Sequence, residues 1–305
     1  MSQTARAARP EPEPGTGSAL SGSGSGTGGG GAARAGSGSR FLDAFHDALH
    51  AEWTKLRTLP GTGWLLLALP ALTIAVSAAA DAAATAGSCP PGGCQSDPVK
   101  LALTGVQAGQ VIVAIIAVLA ISGEYSTGMI RITLTAMPRR LTMLAAKAAV
   151  IAGPVLAVGA VGVLASVLAG RLILPGRGFS AANGYPPLSL GSGPVLRAAC
   201  GSVLYLALIG LLSLGIATAV RESAVAIGLV LGLLYLFPIV AHVVGNQHWQ
   251  RHLEQVVPMT SGLSIHATVN LSELPLTPWQ GLGVLAAWSA GAVILGALVL
   301  RFRDA

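Results

Sequence analysis

The chain has 305 residues, 52% of them apolar and only 10% charged, with a formal charge of +6 and a mean hydropathy of +0.68. A soluble domain carries about 25% charged residues, so this composition excludes a fold covered by polar surface. The basic residues are scattered, with no aromatic-interleaved soluble patch, which argues against nucleic acid as a partner and for anionic lipid headgroups.

Residues 1–39 hold Pro near the start and then a Gly/Ser run from Ser21 onward, too poor in apolar side chains to repay ordering, so a disordered tail is expected there. From Arg40 the apolar residues Phe41, Phe45, Leu49, Trp53 and Leu56 recur at three- and four-residue steps, with charged and polar residues on the other faces. That spacing predicts an amphipathic helix over 40–60, lying along the membrane interface and ended by Leu59-Pro60-Gly61.

Residues 61–305 carry six apolar blocks, at 63–80, 101–122, 144–170, 198–220, 224–244 and 280–300. A bilayer core of about 30 Å needs roughly 20 apolar residues per helix, and the blocks lack the alternation of a membrane barrel. The expected class is an all-α polytopic membrane protein with six spans and both termini on one side. Between spans two and three, Ser126 or Thr127 would cap a short helix stopping before Pro138. Only Arg221-Glu222-Ser223 separates spans four and five, so those helices must run antiparallel as neighbours. Residues 171–197 read as an irregular loop. Residues 245–279 are apolar without the length of a span, which predicts short helices dipping back into the outer leaflet.

Lys and Arg near span ends set the orientation. With the N-terminus inside, ten basic residues, among them Arg131, Arg139, Arg140 and Lys147, lie on the cytoplasmic side, against Lys100, Arg171, Arg177, Arg197 and Arg251 outside. The same choice puts Cys89 and Cys94 on the oxidising side, where a disulfide could persist; two unrelated thiols remain the alternative. A multi-pass membrane protein with both termini cytoplasmic is expected.

Chemistry-bearing motifs are few. His46-Asp-Ala-Leu-His50 resembles the His-Glu-x-x-His zinc pattern but has Asp47 in place of Glu and no third ligand nearby. His242, His248, His252 and Glu254 cluster near the outer end of span five as interfacial polar residues. Neither cluster implies a metal, and no catalytic residue is assigned. Within span two, Thr104, Gln107 and Gln110 fall about one turn apart, placed either to line a substrate path or to bond neighbouring helices. Gly105-x-x-x-Gly109 and Gly228-x-x-x-Gly232 permit close helix contact, and Pro154 and Pro238 would kink their spans. The phosphate loop Gly-x-x-x-x-Gly-Lys-Ser/Thr is missing, so nucleotide binding of that kind is excluded.

Two segments, Glu52-Trp53-Thr54-Lys55-Leu56-Arg57 and Gly123-Glu124-Tyr125-Ser126-Thr127-Gly128-Met129-Ile130-Arg131, resemble those of a permease subunit of a bacterial type-2 ATP-binding-cassette exporter. The resemblance implies an elbow helix before span one, a coupling helix after span two that seats on a separate ATPase subunit, and re-entrant outer helices between spans five and six. It implies a bacterial plasma membrane as the location, a second permease half, identical or related, and ATP with Mg bound only in the partner. By the same resemblance Glu124, Tyr125, Gly128 and Arg131 would contact the ATPase, with Arg139 and Arg140 holding lipid or assisting there. Few ionisable groups lie within the spans, so the expected cargo is apolar or amphipathic rather than a small ion. The alternatives are an intramembrane metal-dependent enzyme, or a sensor or immunity component on the same fold.

Overall fold

The computed structural model describes residues 49, 60–87, 96–126, 140–244 and 255–302, all within one compact unit, Leu42–Ala305. Among the described residues every regular element is helical, and six helices are long and apolar enough to cross a membrane. The six expected spans are all present, each within several residues of its expected bounds.

Helix α1 runs Pro60–Ala83. The second span is broken in two, a short α2 (Pro98–Ala102) and α3 (Val106–Ser126). Asp97 starts α2 by accepting hydrogen bonds from the Val99 and Lys100 amides at 3.0 and 3.3 Å, with Pro98 in the first turn where its missing N–H is harmless. Helix α4 (Arg140–Ile173) continues through Pro154 and ends in a 3-10 turn, Leu174–Arg177. Helix α5 (Gly193–Val220) ends at Arg221 in the left-handed region, φ 67°, and Glu222 caps the N-terminus of α6 (Ser223–Leu231). A π turn, Gly232–Leu236, follows, then α7 (Phe237–Val244). Pro238 lacks the N–H that an α-helix would offer to the Leu234 carbonyl, which accounts for a widened turn at this point. Helix α8 (Pro258–Leu263), a 3-10 turn Ser264–His266 and a final helix α9 (Pro278–Phe302) complete the chain.

The spans alternate in direction, so the described segments gather at two ends. One, the cap end, holds residues 84–87, 96–97, 174–192 and 255–277; the other, the turn end, holds 126, 140 and 221–223. Helices α3 and α5 are the most buried spans, with α4, α6 and α9 packed on α5 and α1 packed on α3 and α4. The outer helices leave Leu67, Leu168, Leu229 and Ile294 exposed, a surface suited to lipid and costly in water.

Where backbones touch, the sequence supplies glycine. A Cβ at Gly105 would overlap the Thr73 carbonyl oxygen of α1, and one at Gly109 would stand 2.5 Å from Thr73 Oγ1. The Gly105-x-x-x-Gly109 motif therefore seats α1 on α3. The Gly228-x-x-x-Gly232 motif does not seat anything, because no atom lies within 4 Å of a Cβ at either position.

Candidate functional site at the turn end and the bundle centre

Two charges face each other inside the turn end. Lys147, on the second turn of α4, places Nζ 3.0 Å from Oε1 of Glu124, on the last turns of α3, and also donates to the Ala120 carbonyl at 3.2 Å. Their side chains are 2% and 6% exposed. A buried pair is stable only with such geometry and added hydrogen bonds, and removing one partner leaves an uncompensated charge. The pair ties together the two helix ends that flank residues 127–139.

Next to it, the Arg221 guanidinium lies 5.4 Å from the centre of the Tyr125 ring, a cation–π contact that joins the α5–α6 turn to the end of α3. Glu222 is exposed and accepts from the Ala224 and Val225 amides at 3.0 and 2.5 Å. Those backbone bonds, Val225 first and then Ala224, hold its carboxyl below the usual carboxylate range.

A polar hub sits at the bundle centre. Gln110 is fully buried on α3; its Nε2 donates to Tyr235 Oη at 2.9 Å and contacts Met259 Sδ at 3.5 Å, and its Oε1 accepts from Tyr205 Oη. Tyr235 in turn donates to the Gln107 carbonyl. One amide thus links α3, α5, the π turn and α8, with each of its two polar atoms partnered.

Met259 reaches Gln110 because α8 and the turn after it fold back into the bundle between α5 and α9. Ile265 fills the space above Gly201, where a Cβ would overlap its side chain, and His266 is buried beside it. Asp97 stitches this segment to α2, accepting from Thr268 Oγ1 at 2.8 Å, from the Thr268 amide, and from the Val269 amide at 3.1 Å. Arg197 of α5 donates to the Ala267 carbonyl at 2.6 Å. Burial pushes the His266 imidazole down to about 4, with Lys100 adding to the effect and Asp97 opposing it.

Beside the hub, α5, the π turn with its flanks, and α9 line an open cleft of about 780 Å³. Leu212, Ile216, Leu233, Phe237, Trp288 and Leu295 line it, and its walls carry almost no polar surface.

No protein-family model matches the chain, and no curated protein is significantly similar to it. The site therefore stands on its own geometry.

Of the residues singled out in the sequence, Glu124 and Tyr125 meet Lys147 and Arg221 at the turn end. Thr104 lies in the turn between α2 and α3, whereas Gln107 and Gln110 lie three residues apart on α3. Thr104 bonds back to the Lys100 carbonyl at 3.2 Å, Gln107 is exposed, and Gln110 is the hub. Arg140 opens α4, but its side chain lies outside the described residues, as do Cys89, Cys94, Gly128, Arg131, Arg139, all but Leu49 and Pro60 of the 40–60 segment, His46, His50, His248, His252, Glu254 and the side chain of His242. Among the described residues no three His, Cys, Asp or Glu side chains converge to hold a metal.

Several site residues carry no motif. Tyr205 and Tyr235 sit in apolar blocks where an aromatic ring reads as packing, and only their spacing across the fold joins them to Gln110. Lys147 reads as a charge at a membrane edge, whereas α4 begins at Arg140 and carries it inward. Asp81 lies just past the expected end of the first span, and the helix extends to include it. Its signal in the sequence is the four-residue step Thr73, Ser77, Asp81.

Proposed function

We propose that this chain is the membrane-spanning subunit of an ATP-binding-cassette exporter, working beside a second permease half and driven by separate ATPase subunits. In this reading the turn end faces the cytoplasm of a bacterial cell and residues 127–139 form the coupling segment. Segment 40–60 is the elbow helix, and α8 with its following turn is the re-entrant element on the outer side. Each half moves as its coupling segment is pushed by nucleotide-driven closure of the partner, and a path opens outward.

The observation that supports this most is the buried Glu124–Lys147 pair. A force on residues 127–139 reaches α3 and α4 together, because the pair clamps the helix ends on either side, and the Tyr125–Arg221 contact extends it to the α5–α6 turn. Glu124 then works as an anchor inside the chain, which leaves Gly128 and Arg131 as the surface offered to the partner. Tyr125 stands at the boundary, and Arg139 and Arg140 are suited to lipid phosphates. The apolar cleft beside the hub suits an apolar or amphipathic cargo.

The test is co-purification. Tagged full-length chain extracted gently from its own membranes should bring down a nucleotide-binding subunit with ATPase activity. Arg131→Glu should abolish this while leaving the thermal unfolding midpoint unchanged. Stable isolation without any ATPase under every extraction condition would count decisively against the reading.

A further inference from the structure

One face of α1 carries Thr73, Ser77 and Asp81, four residues apart and all fully buried. Opposite them α4 presents Gly162, Ser166 and Gly170. The register is fixed by close approach: a Cβ at Gly162 would lie 3.2 Å from Pro70 Cα and 3.6 Å from Thr73 Cβ, and one at Gly170 3.2 Å from Asp81 Oδ2. Ser166, midway between those glycines and fully buried, is therefore level with Ser77. Gly105 closes the third side and donates its amide to Ser77 Oγ at 3.0 Å.

Thr73 is satisfied, donating to the Leu69 carbonyl at 2.7 Å. Asp81 differs: neither of its oxygens has a hydrogen-bond partner among the described residues, and neither does Ser166 Oγ. Buried polar groups are almost always paired, and a buried carboxylate with no donor and no cation is the costliest exception.

The elements packed on α1 are α2, α3, α4 and the 174–177 turn. Their described charged groups are Lys100, Glu124, Lys147, Arg171 and Arg177. Lys100, Arg171 and Arg177 are exposed, and Lys147 is paired with Glu124 at the opposite end. A Cβ at Gly170 would already stand 2.7 Å from Ala102 Cβ, so the seam is closed on that side. Among the described residues the carboxylate therefore has neither a donor nor a counter-ion.

We propose that Asp81 is a binding site for one small monovalent cation, a proton or Na⁺, with the hydroxyls of Ser77 and Ser166 as neighbouring neutral oxygens. The cation cancels the charge of a carboxylate held in a dry seam of small residues, and its occupancy holds α1 against α4. Separating the seam wets the carboxylate and releases the ion. This site does not depend on the exporter reading, since it lies at the other end of the bundle from the α3 and α4 ends at Ser126 and Arg140, and failure to recover an ATPase would leave it untouched.

The purified full-length chain in detergent tests this without any substitution. Dicyclohexylcarbodiimide attacks protonated carboxyls in apolar surroundings, and mass spectrometry of the peptide carrying Asp81 reads the adduct. Samples run from about pH 5 to about pH 9 in choline chloride or NaCl of equal strength, with the thermal midpoint measured in parallel. For a proton site, labelling falls about tenfold per pH unit above the midpoint of titration and is blind to sodium. For a sodium site, NaCl suppresses labelling at fixed pH and raises the thermal midpoint with the logarithm of its concentration, and Asp81→Asn loses that rise. If Asp81 stays unlabelled throughout and the midpoint ignores sodium, or if labelling ignores both pH and sodium, the proposal is overturned.

Discussion

Lys147 reaches back from α4 to place its ammonium 3.0 Å from the Glu124 carboxylate of α3, so that both helix ends beside residues 127–139 are held by one buried ion pair. Lys147→Met leaves the Glu124 charge buried without its cation and should destabilise the chain by about 3–5 kcal/mol. Replacing both with apolar residues of similar volume, Lys147→Met with Glu124→Leu, should recover most of that loss, because two desolvated charges are removed together. Thermal unfolding of the three proteins in one detergent checks it. A single variant as stable as the parent would mean that the pair contributes nothing.

The two glycine motifs should behave oppositely. Gly105→Ala pushes a methyl into the Thr73 carbonyl, backbone against backbone, and neither α1 nor α3 can yield without losing the seam behind it. A loss of roughly 1–3 kcal/mol or more is expected, as for other overpacked sites. Gly228→Ala meets open space in the middle of α6 and should be neutral or stabilising by about 0.5–1 kcal/mol through helix propensity. Equal effects at the two positions would contradict the packing.

Gln110 holds two tyrosine hydroxyls at once; Gln110→Leu strands that of buried Tyr205, while Tyr235 keeps its bond to the Gln107 carbonyl. Each buried group left without its partner costs about 1–3 kcal/mol. Adding Tyr205→Phe to Gln110→Leu removes the stranded hydroxyl and should restore part of the stability. The combined loss should then be smaller than the sum of the two single losses, a coupling that a double-mutant cycle measures directly. Additive losses would show that the hub is not one network.

The six spans were legible because lipid imposes a length and a composition on any helix that crosses it, and those constraints are written residue by residue. Glu124 and Tyr125 stood out for a local reason as well, since their segment forms a recognisable run. The partners did not. Lys147 and Arg221 read as charges at membrane edges, and only the folded geometry turns one into the counter-ion of Glu124 and the other into the cap of Tyr125. Thr104, Gln107 and Gln110 share a face on an ideal helix, but Thr104 falls in the break at residues 103–105, and on α3 itself Gln107 is exposed where Gln110 is buried. Periodicity locates a helix; it does not say which of its polar residues meets another helix.

His266 should make the cap end sensitive to acid. Its imidazole is pushed down to about 4 from an ordinary value of 6.5, chiefly by burial and then by Lys100, against the pull of Asp97. Between those two values the unfolded chain binds a proton that the folded chain refuses, so stability rises with pH across the window and is fully present above it. Acidification from about pH 6.5 toward about pH 4 should therefore remove up to roughly 3 kcal/mol. Glu222 acts in the same direction but lower, since its depressed carboxyl stabilises the fold above the ordinary carboxylate range and loses that contribution as pH falls through its folded value. The two separate by substitution. His266→Leu keeps an apolar side chain in the same packing and should flatten the pH dependence of the thermal midpoint above about pH 5, while the steeper fall at lower pH remains. Parallel curves for the parent and His266→Leu across that range would show that the imidazole is not the group responsible.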